Sequence, residues 1–133
     1  MEKDALTYIK ESRSQAEKDA LAMRAALVRQ DRAAFSRLLR EYLCIRFDLE
    51  HTNGEQSIEK LARMSLIKSK GTKAVAESDR GINCANASTA EDKSLLFVLV
   101  CQRALGVTLT PAQTASINTM PQLEEAIWSA YAA

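Results

Sequence analysis

Glycine and proline are scarce, at four and two in 133 residues. A chain so poor in turn-formers and rich in Ala, Leu, Glu, Lys and Arg is expected to be helical. Charge of one sign is also missing. The formal net charge is +1, which gives no reason to expect nucleic acid or an anionic membrane as a partner. The longest strongly apolar run, residues 95–101, is far short of the ~20 residues that span a bilayer. The first residues, Met-Glu-Lys-Asp-Ala-Leu, lack a basic-then-apolar signal segment, so the expected location is cytoplasmic. The three cysteines, Cys44, Cys84 and Cys101, have no CxxC spacing. Cys44 and Cys101 read as small buried hydrophobes and Cys84 as an exposed thiol in a loop. A zinc site with His51 has no spacing behind it, and no metal ligand is assigned. Neither a Gly-rich phosphate loop, an HExxH nor a G-x-S-x-G is present. With no acid–base or nucleophile pair visible, the chain is not read as an enzyme.

What is present is helix punctuation. At this length one domain is expected. Residues 4–29 read as one long helix with a narrow stripe, Leu6, Ile9, Ala16, Ala20, Met23 and Leu27. Charges, Asp19 among them, fill its other faces. Such a stripe suits packing over its own domain, or a docking or dimerising seam. Asp31 is a candidate N-cap for a second helix with a wider apolar face from Phe35 to about Leu49. Arg32, Arg37, Arg40 and Arg46 lie largely off that face and read as solvated. The sequence His51-Thr52-Asn53-Gly54 marks a turn. A helix carrying Ile58, Leu61, Leu66 and Ile67 follows, and then a long loop over residues 69–87 in which the apolar period is lost.

Ser88-Thr89-Ala90-Glu91 is a capping box opening a helix that Gly106 should end. That helix is apolar nearly all round its middle and is expected at the centre of a bundle, or covered on more than one side. Two further boxes follow closely, Thr110 with Gln113 and Thr119 with Gln122, each with a proline in the first turn. They write a short helix, a tight corner at Ile117 and Asn118, and a last helix with Ile127, Trp128 and Tyr131, in which Trp128 is expected as a core anchor.

Residues 106–127 resemble the last third of an acyl carrier protein. Gly106, Val107, Leu109, Ile117, Asn118-Thr119, Leu123 and Ile127 fall without a gap on that family's pattern: the end of a long second helix, an extended Ile-x-Ile/Leu, a short third helix, an Ile-Thr-Thr-like corner and a final helix. The resemblance implies an all-α, carrier-like four-helix bundle over residues 31–133, with residues 1–30 as an added amphipathic helix. The helix from Phe35 would then be the family's first. The resemblance also implies a serine at the start of the second helix carrying phosphopantetheine, whose thiol holds an acyl or aminoacyl group as a thioester. The family writes that site Asp-Ser-Leu. Counting back from Gly106 puts it near Glu91. Two neighbours are candidates. Ser88 stands at the expected helix start, which suits an anion, between Ala87 and Thr89. Ser94 stands in Lys93-Ser94-Leu95, closer to the motif in letters but well inside the helix. The family's acidic second helix docks on basic partner enzymes. Here Lys93 and Arg103 accompany Glu91 and Asp92. The alternative is a helical protein-interaction module that has lost the arm, with a homodimer through the N-terminal helix as one form.

Overall fold

The computed structural model describes residues 5–70 and 89–132. Among them are six α-helices and no strand. We number them α1 (Ala5–Arg29), α2 (Arg32–Phe47), α3 (Ile58–Lys70), α4 (Thr89–Leu105), α5 (Pro111–Ser116) and α6 (Met120–Ala132). The chain divides into two compact units, Met1–His51 and Thr52–Ala133.

The first unit is a helical hairpin in which α1 packs on α2. Gln30 takes a left-handed φ of 58°. It lets Asp31 N–H reach back to Ala26 C=O at 2.9 Å, a Schellman closure without glycine. Asp31 then caps α2, accepting from Ala34 N–H at 3.1 Å. Of the stripe expected on the first helix, Ala16, Met23 and Leu27 are buried and Ala20 is half-buried. The side chains of Leu6 and Ile9 lie outside the described residues. On α2, Phe35, Leu38, Leu39, Tyr42, Leu43 and Phe47 are buried. This helix stops at Phe47, two residues before the expected end. Asp48, at φ 53°, closes it with a second Schellman pair, its own N–H to Ile45 and that of Leu49 to Cys44. Arg37 and Arg46 are exposed as expected, whereas Arg32 and Arg40 are half-buried.

Asp19 corrects the sequence reading. Placed off the apolar stripe by the sequence, it is nevertheless only 6% exposed. One carboxylate oxygen accepts from Gln15 at 3.0 Å, and the other has no partner among the described residues. Burial pushes its carboxyl above the usual value. The Gln15 bond opposes that rise and the Glu41 charge adds to it. Burial, with Glu41 again contributing, also raises the thiol of half-buried Cys44, which stays protonated.

The second unit begins with a turn in which Asn53 and Gly54 both have positive φ and Glu55 N–H bonds Thr52 C=O at 2.9 Å. Ser57 caps α3 through Lys60 N–H. This helix buries Ile58, Leu61, Ala62 and Leu66, extends through Lys70, and packs on α4. Residues 71–87, which hold the rest of the expected loop and Cys84, lie outside the described residues. At its other end α4 closes as expected: Gly106 has φ 67°, and Val107 N–H bonds Gln102 C=O at 3.0 Å.

Both expected boxes in the C-terminal stretch form. Thr110 Oγ accepts from Gln113 N–H, and Gln113 Oε1 accepts from Thr110 N–H. Thr119 and Gln122 repeat the exchange, and Gln122 Oε1 also takes Asn118 N–H at 2.7 Å. One link has no counterpart in the sequence reading. Ile58 N–H bonds Asn118 C=O at 3.0 Å and Met120 N–H bonds Gln56 C=O at 2.8 Å, an isolated antiparallel bridge of Ser57 with Thr119. It pins the starts of α3 and α6 side by side. In α6, Met120, Leu123 and Ile127 are buried, and Trp128, expected as a core anchor, is half-buried.

The surroundings of α4 also differ from expectation. One side, with Ala90, Phe97, Val98, Cys101 and Leu105, is buried. On the opposite side Leu95, Leu96 and Leu99 are 46%, 59% and 45% exposed. The helix is therefore covered along one side.

Candidate functional site

The buried side of α4 places one of the candidate serines. Ala90, Ser94, Val98, Cys101 and Leu105 follow one another at three- and four-residue steps, so they share a face. Ser94, in the second turn, is half-buried on that face and opens onto a cleft of about 280 Å³. Ser57, which bridges to Thr119, lines this cleft. Glu59 joins it from the start of α3, and the corner after α5 supplies Ile117 and Asn118. Thr114 closes the wall from α5.

Several of the polar groups here already have structural duties. Ser57 Oγ caps α3, Thr114 Oγ accepts from Gln102 Nε2 at 3.2 Å, and the Asn118 N–H is held by Gln122. Glu91 and Glu59 are exposed and contribute two carboxylates to the lining. Glu91, the position to which counting along the family pattern leads, thus shares the cleft with Ser94. Ser88 and the capping box it would open lie outside the described residues. The cleft does not suit a phosphodiester on Ser94, because that anion would have to share a partly enclosed space with two carboxylates.

His51, read as a surface residue, is exposed. Among the described residues no three of His, Cys, Asp and Glu gather as metal ligands. No helix among them is long and apolar enough to cross a membrane. A second, more open hollow between α5 and α6, of about 490 Å³, is lined by Gln113 and Gln122, which are engaged in the two capping boxes, and by Glu125, which accepts from Ser129.

The sequence reading named Ser94 but missed Glu59, Ser57 and Thr114, which come from separate elements. For Ser94 a signal was available: its four-residue steps to Ala90 and Val98 place it on the packed stripe. Compared with known protein families, with curated proteins and with solved structures, the chain matches none.

Proposed function

We propose that Thr52–Ala133 is an acyl-carrier-like domain that works through protein partners and not by catalysis of its own. The observation that carries this reading is the order of its elements. A first helix, α3, is followed by the intervening residues 71–88 and a long helix, α4, ended at left-handed Gly106. Residues 107–110, the six-residue α5, the corner at Ile117 and Asn118, and α6 complete it. That is the family's order, with α3 in the place first given to the helix from Phe35. Of the two serines, Ser88 is the better attachment point. It immediately precedes Thr89 in sequence, the first residue of α4, and a helix start suits an anion. When bound, phosphopantetheine supplies a thiol on which an acyl or aminoacyl group is held as a thioester.

The test is the intact mass of the full chain after incubation with coenzyme A and a broad-specificity phosphopantetheinyl transferase. The expected result is one added group on the wild type and on Ser94→Ala, and none on Ser88→Ala. A wild-type chain that never gains the group removes the carrier reading. It would leave the second one, a helical interaction module without an arm. The exposed leucines of α4, together with Leu21 and Val28 of α1 at 65% and 69% exposure, favour that alternative.

A further inference from the structure

The exposed face of α4 has a pattern along its length as well as around it. Asp92, Leu95, Leu96, Leu99 and Arg103 follow at steps of three, one, three and four. At 3.6 residues per turn, Asp92, Leu96, Leu99 and Arg103 fall within about 60° of one another, with Leu95 and Val100 flanking them. Asp92 and Arg103 are exposed, and neither side chain has an ion-pair partner among the described residues. The face is therefore a short apolar strip with an acid at its N-terminal end and a base at its C-terminal end.

Such a strip is complementary to itself when reversed. We propose that α4 pairs with α4 of a second copy of this chain, antiparallel, across a two-fold axis passing between Leu96 and Leu99. This register sets Leu96 against Leu99, Leu95 against Val100 and Asp92 against Arg103, and the two-fold repeats each pair. The leucines supply the attraction, since each apolar surface removed from water is favourable. The charges at the two ends fix direction: in a parallel pair like charges would meet, and in the antiparallel pair opposite ones do. A single helix face buries less than the ~1,200 Å² of a standard interface, so the dimer is weak, with a Kd on the order of 10 µM or above. The proposal does not depend on whether Ser88 is modified, and its test does not use the transferase.

Sedimentation of the full chain, from about 10 µM to about 1 mM, decides it. The average mass should rise from 14.7 kDa towards twice that value. Leu96→Glu with Leu99→Glu should remain monomeric throughout, with the helical circular dichroism unchanged because both positions are exposed. Asp92→Arg alone, or Arg103→Asp alone, places like charges at both ends and should weaken Kd about 10-fold. The chain carrying both changes should recover to within about three-fold of the wild type, because it restores both opposite-charge pairs. A wild-type monomer at the highest concentration overturns the proposal and leaves the face to a different partner. So does a dimer that survives the leucine changes, or a double charge reversal no better than either single one.

Discussion

Gln102 offers the sharpest test of how the C-terminal half of the second unit is held. Its side-chain carbonyl accepts from Leu109 N–H at 2.9 Å, and its amide donates to Thr114 Oγ at 3.2 Å. One residue near the end of α4 thus holds both the segment after Gly106 and the body of α5. Leu109 and Thr114 are 5% and 9% exposed, so water cannot readily replace either bond. Gln102→Met keeps the length and the helix propensity and removes both bonds. The Leu109 N–H is then a buried donor without a partner, which costs about 1–3 kcal/mol, and the lost Thr114 bond adds about 1 kcal/mol. The expected loss is therefore about 2–4 kcal/mol. Gln102→Glu keeps an acceptor for Leu109 and should lose about half as much. Trp128 is the sole tryptophan and lies in α6, so its fluorescence during urea unfolding reports on this unit. At slopes of about 1–3 kcal/mol per molar urea, the Met variant should lower the midpoint by about 0.7 M or more. A Met variant within about 0.5 kcal/mol of the wild type would refute the reasoning, since it would mean that neither bond is shielded from water.

Thr110→Ala removes the acceptor for Gln113 N–H and should cost about 1 kcal/mol by the same fluorescence assay. Met23→Ala empties a fully buried site in the first unit and should cost about 2–5 kcal/mol, read by circular dichroism melting. Asp19 predicts a dependence on pH. Folding raises its pKa above the ordinary 3.8, so its contribution to stability is full below 3.8 and is lost as pH rises through the raised value. Asp19→Asn keeps an acceptor for Gln15 and should stabilise the hairpin at neutral pH, with less loss of stability than the wild type as the pH rises above 3.8. Equal pH slopes for the two chains would contradict this account.

The helix ends legible in the sequence are those written by local chemistry. Asp31, Thr110 and Thr119 each place an oxygen before the first turn, and Gly106 supplies positive φ at the end of α4. These signals require only residue type and spacing, and the structure realises each of them. Gln30 and Asp48 close their helices in the same left-handed geometry without glycine, and although Asp tolerates it, Gln30 carries no such signal. The bridge of Ser57 with Thr119 joins distant segments through main-chain groups alone and leaves no periodic trace. Hydrophobicity marked 95–101 as apolar but could not tell which side has a neighbour. That depends on α3 and α5, and these leave Leu95, Leu96 and Leu99 exposed. The cleft was illegible for the same reason. Ser94 could be placed on the packed stripe by its spacing, but Glu59 and Thr114 reach it only through the fold.

The carrier reading stands or falls on a covalent group, and fragment mass spectrometry of the full chain after transferase treatment addresses it most directly. The account predicts one phosphopantetheine per chain, on the fragment containing Ser88 and absent from the fragment that begins after Thr89. A chain that remains unmodified, or one modified at Ser94 beside Glu59 and Glu91, would contradict it.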